Sequence, residues 1–119
     1  MEYIDLDVWK QSRRIVTTIY ELTGKFPKEE QFGLTSQMRR SAISIPSNIA
    51  EGCVRRTSKD TLQFLHIARG SLYELETQLY LTLDLNYIDY KEHKITDEQI
   101  TICKKLLNGF MNYYKKQKL

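Results

Sequence analysis

The chain has 119 residues, 41% hydrophobic and 28% charged, a balance that excludes disordered, collagen-like and disulfide-stapled classes and suits a single domain over 1–119. Five Gly and two Pro leave too few turn signals for a sandwich or barrel, so a few long helices are expected and the fold class is all-α. The formal net charge is +3, unevenly distributed. Lys104, Lys105, Lys115, Lys116 and Lys118 follow residue 98 with no acid, whereas 74–98 carry Glu74, Glu76, Asp84, Asp89, Glu92, Asp97 and Glu98 against Lys91 and Lys94. A second basic group, Arg39, Arg40, Arg55, Arg56 and Lys59, meets only Glu51 between 31 and 59.

The first twenty residues hold Glu2, Asp5, Asp7, Lys10, Arg13 and Arg14, which interrupt any apolar signal segment. No run approaches the roughly 18 to 20 apolar residues that span a bilayer. A cytoplasmic location is expected, with Cys53 and Cys103 as reduced core thiols.

The first helix is predicted from about Asp5, as N-cap, to Thr23, with Val8, Trp9, Ser12, Ile15, Val16, Ile19 and Leu22 on its broad apolar face. Gly24 should close it in the left-handed conformation, followed by the connector Lys25-Phe26-Pro27 and a short turn at Lys28-Glu29-Glu30. A second helix starts near Leu34 or Thr35 and carries Met38, Ala42, Ile45, Ile49 and Cys53 at bundle-seam spacing. Pro46 lacks the N–H that would bond the Ala42 carbonyl and crowds that carbonyl. Because the apolar spacing stays in phase across it, a kink is expected there and not a break. Ser44, Ser47 and Asn48 are placed to satisfy backbone groups that the proline loosens.

The third helix follows Thr57 or Ser58 as N-cap and ends near Leu85. Its seam reads Leu65, Ala68, Leu72, Leu75 and Leu79, while Phe64, Ile67, Tyr80, Leu81 and Leu85 form a second stripe that needs cover from another subunit. Asn86 stands in for the usual Gly stop. Thr96-Asp97-Glu98-Gln99 reads as the capping box of the fourth helix, leaving 86–95 as the longest connector and placing Ile100, Cys103, Leu107, Phe110 and Tyr114 on one face. Short connections between four helices imply an antiparallel up-down-up-down four-helix bundle with its second helix kinked at Pro46.

The residues offer little catalytic chemistry. The positions three before His66 and His93 are Gln63 and Tyr90, so the Glu-x-x-His pairs of a bundle di-iron centre are missing, and the two cysteines and two histidines show no zinc-ligand spacing. No phosphate-cradling loop or nucleophile elbow occurs. The expectation is a protein that is not an enzyme and holds no cofactor or metal. Polyanion binding suits the residues better. Arg39, Arg40, Arg55, Arg56, Lys59, Lys104, Lys105, Lys115 and Lys116 are the candidate nucleic-acid contacts, and Tyr113-Tyr114 beside Lys115-Lys116 mixes stackable rings with cations. The competing reading makes Tyr114 core, Tyr113 partly exposed, and pairs a middle arginine with Glu51, Glu74 or Glu76.

Two segments carry a family resemblance: Gln37-Met38-Arg39-Arg40-Ser41-Ala42-Ile43-Ser44-Ile45-Pro46-Ser47-Asn48-Ile49-Ala50-Glu51-Gly52, and Ile67-Ala68-Arg69-Gly70-Ser71-Leu72-Tyr73-Glu74-Leu75-Glu76-Thr77-Gln78-Leu79. With Leu6-Asp7-Val8-Trp9 and the stretch from Phe26 to Leu34, they resemble the bacterial proteins encoded in intervening sequences of 23S ribosomal RNA genes, over about residues 6–88. The resemblance implies a four-helix bundle assembled as a homopentamer around a central channel. That family also looks related to the accessory variability protein of diversity-generating retroelements, which implies RNA or DNA, or a protein partner such as a reverse transcriptase, as the binding partner. The chain departs from the family pattern at Cys53-Val54, at Asp60-Thr61 and at Asn86.

Overall fold

The computed structural model describes residues 2–117; Lys118, counted above with the basic C-terminal cluster, lies outside them. Among the described residues there are four α-helices and no strand: α1 (Asp7–Thr23), α2 (Leu34–Cys53), α3 (Ser58–Asp84) and α4 (Tyr90–Lys115), with 3-10 turns at Tyr3–Asp5 and Lys28–Glu30.

The apolar periodicity explains the packing. Ile15 and Ile19 of α1, Met38, Ala42, Ile45 and Ile49 of α2, Leu65, Ala68, Leu72, Leu75 and Leu79 of α3, and Ile100, Cys103, Leu107 and Met111 of α4 are fully buried in one cluster. Each large side chain so placed stabilises the fold by roughly 1.5–3 kcal/mol relative to exposure. The helices close a ring in which α2 packs on α1 and α3, and α4 on α3 and α1.

Cross-helix bonds show the sense of each pair. The Thr61 hydroxyl donates to the Gly52 carbonyl at 2.8 Å, Ser71 to Ser44 at 2.8 Å and Ser41 to Glu74 at 3.0 Å, so α3 runs back along α2. Arg69 with Asn108 and Lys104 with Glu76 do the same for α3 and α4, as Gln11 with the Gln99 carbonyl and Lys25 with Glu92 do for α4 and α1. One end of the bundle therefore gathers the starts of α1 and α3 and the finishes of α2 and α4. Gly52 lets α2 and α3 meet there, because a Cβ on it would lie 3.2 Å from the Thr61 carbonyl oxygen and 3.3 Å from Phe64.

The ends of the helices correct several expectations. Asp5 finishes a 3-10 turn, and Leu6, with no side-chain cap, precedes α1. Gly24 follows α1 in the right-handed region at φ −62°, because the amides of Lys25 and Phe26 keep bonding back to Leu22 and Thr23. The helix α4 starts at Tyr90, six residues before Thr96, on a capping box between Asp89 and Glu92. Thr96 is buried mid-helix and donates to the Glu92 carbonyl, so the expected long connector shrinks to 85–89. The helix α2 runs unbroken through Pro46. Asn48 bonds the carbonyl and hydroxyl of Ser44, while Ser47 faces solvent. Thr57 caps α3 by accepting from the Asp60 amide at 3.1 Å, and Asn86, at φ 61°, ends it. The Tyr87 amide bonds Thr82 and the Asn86 amide bonds Leu83, the paired bonds of a Schellman motif.

Candidate nucleic-acid interface

The antiparallel chain path brings the middle and C-terminal cations of the sequence together at one end, where the start of α1 also places exposed Glu2, Asp5 and Asp7 and the start of α3 exposed Asp60. Arg55, Arg56 and Lys59, in and after the α2–α3 turn, share an end with Lys115 and Lys116 at the finish of α4, and these residues are exposed. Arg55 is engaged by Glu51, with 2.9 Å from its guanidinium to the carboxylate, and stacks over Phe64 at 5.0 Å. Arg56, Lys59, Lys115 and Lys116 make no ion pair among the described residues.

The other candidates lie elsewhere. Arg39 is held between α1 and α2, its Nε donating to the Thr23 hydroxyl at 2.9 Å and its guanidinium lying 4.3 Å above the Tyr20 ring. Lys104 is largely buried, pairs with Glu76 and lies 4.6 Å over Tyr73. Arg40 and Lys105 are exposed, Arg40 towards the opposite end and Lys105 along the side of α4. The acidic stretch 74–98 runs from the middle of α3 through that opposite end into α4, and at the end itself Glu92 and Glu30 are taken up by Lys25 and the Tyr87 hydroxyl.

A cavity of about 620 Å³ opens at the basic end, walled by Tyr3, Asp7, Cys53, Phe110, Tyr113 and Tyr114 among others, with Gly109 on its α4 wall. Tyr114 is half-buried against Phe110 and Tyr113, whereas Tyr113 is 57% exposed. Burial pushes the Tyr114 phenol up, with Cys53 and Tyr113 close enough to add to the rise, and burial likewise raises the Cys53 thiol. Tyr3, Cys53 and Gly109 were not singled out as site residues in the sequence. The signal for Gly109 was an isolated Gly within a helical pattern rich in aromatic residues, and no sequence signal marked Tyr3 or Cys53.

The histidines do not converge. His66 is exposed beside Arg69, and His93 is buried 4.6 Å from the Tyr80 ring. No group of three or more potential metal-ligating side chains occurs among the described residues, and none of their helices is long and apolar enough to cross a membrane.

The family model for the 23S rRNA-intervening sequence protein matches residues 4–109. The chain belongs to that family. The resemblance carried by Gln37–Gly52 and Ile67–Leu79 is thus borne out, and the match extends past residue 88 through most of α4. A similar solved structure is that of a protein with unknown function from the S23 ribosomal protein family of Bacteroides thetaiotaomicron VPI-5482, 26% identical, covering 87% of this chain and 97% of that one with a TM-score of 0.81. No curated protein matches the chain. Relative to the family of 23S rRNA-intervening sequence proteins, Phe110, Tyr113, Tyr114, Lys115 and Lys116 lie beyond the matched residues.

Proposed function

We propose that this 23S rRNA-intervening sequence protein is a non-enzymatic homo-oligomer that binds RNA or DNA through the basic end of its bundle. The observation that carries this reading is the sorting of cations: Arg39 and Lys104 are engaged inside the fold, while Arg56, Lys59, Lys115 and Lys116 stay exposed together at one end. Guanidinium and ammonium groups held near one another attract phosphates and release their counterions. Exposed Ile67 and Leu81 on α3 and Leu85 just after it support assembly, since an apolar stripe of this kind is covered by a partner surface. The homopentamer implied by the family resemblance is the assembly we adopt.

The test is fluorescence anisotropy of a labelled mixed-sequence strand and its duplex over a salt series, with light-scattering mass on the same samples. Combined Arg56→Ala, Lys115→Ala and Lys116→Ala should lower the log–log salt slope by about 2–3, at roughly 0.7–0.9 per lost phosphate contact, leaving oligomer mass unchanged. Lys91→Ala with Lys94→Ala, at the acidic end, should change neither. An unaltered slope accompanied by a shift in mass would instead assign the charges to subunit contacts and favour an adaptor that docks a protein partner.

A further inference from the structure

The cavity at the basic end is unusual in its chemistry. Four of its lining residues are aromatic, Tyr3, Phe110, Tyr113 and Tyr114, and its volume of about 620 Å³ lies within the range of small-molecule sites. Its α4 wall is kept open by a glycine that packing does not require. A Cβ built on Gly109 meets no heavy atom within 4 Å, yet Gly inside a helix is unfavourable by about 0.5–1 kcal/mol relative to Ala. Asp7 also lines this space, and it is the acid among the lining groups. A carboxylate there repels an anionic head such as a phosphate or a fatty-acid carboxyl, but it accepts hydrogen bonds from an exocyclic amine of a nucleobase. Cations neighbour the lining residues in sequence, with Arg56 three residues after Cys53 and Lys115 and Lys116 directly after Tyr114, all exposed at this end. An aromatic lining with one carboxylate and tyrosine hydroxyls, beside exposed cations at the same end, complements a base attached to its phosphates.

We infer that this cavity takes an unpaired nucleobase of a single-stranded nucleic acid, stacked on Tyr113 or Tyr114, while the flanking phosphates lie on the cations of the basic end. The inference rests on the nucleic-acid reading above and narrows it from polyanions in general to single strands with accessible bases. Stacking is tolerant of sequence because every base has a π-face. Duplex bases are already stacked and paired, so a duplex offers this site its phosphates alone.

The test compares three probes by anisotropy at fixed salt: a mixed-sequence single strand, the same strand carrying abasic sites, and its duplex. The base-bearing strand should bind on the order of 10- to 100-fold more tightly than the abasic strand. Gly109→Leu fills the cavity from a position where a side chain has room, and it raises helix propensity, so folding is retained. It should abolish the preference for the base-bearing strand and leave the salt slope intact. Alkylation of Cys53 by iodoacetamide, followed by mass spectrometry, should slow with the base-bearing strand and not with the abasic one. Equal affinity for all three probes, or a preference that survives Gly109→Leu, overturns the base site while leaving phosphate binding standing. Failure of every probe to bind overturns both readings. A change of oligomer mass in Gly109→Leu overturns the base site by showing the cavity seats another copy of the chain.

Discussion

The two ends of the bundle are built differently. At the acidic end the α3–α4 corner is tied down: Asn86 closes α3 with paired amide bonds, Asp89 and Glu92 cap α4 reciprocally, Lys25 joins Glu92, the Tyr87 hydroxyl donates to Glu30 at 2.8 Å, and Phe26 packs on the Tyr87 ring, while α2 starts there without a side-chain N-cap. Near the start of α2 a cavity of about 640 Å³ opens between Tyr20, Phe32 and Arg40, and at the basic end α1 starts without a side-chain cap, Cys53 is half-buried and the cavity of about 620 Å³ opens. Cations that could have been paired there are left exposed. Polar groups satisfied by partners stabilise a fold, whereas unpaired charges beside an open apolar surface favour association. The α3–α4 corner therefore contributes mainly to stability, and the basic end, with Arg56, Lys59, Lys115 and Lys116 exposed beside its cavity, is arranged for contact.

Equal truncations at the two ends should give unequal losses. Leu79 is fully buried in the seam of α3 near the closed end, while Leu106 is only partly buried against the cavity. Leu79→Ala should lower unfolding free energy by about 2–5 kcal/mol, and Leu106→Ala by less than half of that, as read from urea denaturation midpoints at constant slope. Similar losses at both positions would erase the distinction between the ends.

Much of this architecture was legible because burial follows helical period. The seams of α1, α2 and α3, the Thr57 cap and the Asn86 stop can all be read from spacing and capping chemistry. The start of α4 was not legible, because two capping boxes stand in series, Asp89 with Glu92 and Thr96 with Gln99. The seam continues through His93 and Thr96, both buried, and neither residue type announces burial. The candidate site divided for a similar reason. Helical phase sets Arg39 at the flank of the Met38–Ala42 seam and Arg40 on the far side, but not their partners: one side chain reaches Thr23 and Tyr20 across α1 and the other faces solvent. The middle-arginine pairing with Glu51 proved to be that of Arg55, a one-turn neighbour, since such i,i+4 pairs follow from helix geometry alone.

A sharper probe of the closed end is Asn86, whose φ of 61° suits Gly best and Asn next among common residues. Asn86→Ala should destabilise the fold by about 1 kcal/mol, and Asn86→Gly should match or exceed the native chain in thermal melting. If Ala is tolerated as well as Gly, the α3–α4 corner is not the fixed feature that the paired amide bonds indicate.

Thiol chemistry separates the ends from the middle without changing stability. Burial pushes the Cys103 thiol up to about 12, and Cys53 is raised less deeply inside the fold. Because the thiolate is the reactive form, a thiol reagent at neutral pH should modify Cys53 first and Cys103 only as the protein unfolds, read as site-resolved labelling over time. Rapid labelling of both would mean that the seam near Cys103 opens as readily as the cavity.

The smallest effect concerns pH at the closed end. The hydrogen bond from Lys25, then that from the Asp89 amide, holds the Glu92 carboxyl below its ordinary value of 4.5, and Lys25 is raised above 10.5 chiefly by the same contact. Glu92 is depressed on folding, so its contribution is complete above pH 4.5 and is lost as pH falls through the lower folded value. Lys25 is raised, so its contribution is complete below pH 10.5 and lost as pH rises through the higher folded value. Lys25 is well exposed, so solvent screens the pair and keeps the total small. Glu92→Gln should therefore reduce stability modestly at pH 7, and the gap to the native chain should close on acidification below 4.5, measured by urea denaturation across that interval. A gap that persisted unchanged into acid would place the difference in the neutral capping geometry of Asp89 and residue 92, and would remove the charge pair from the account of why this end is closed.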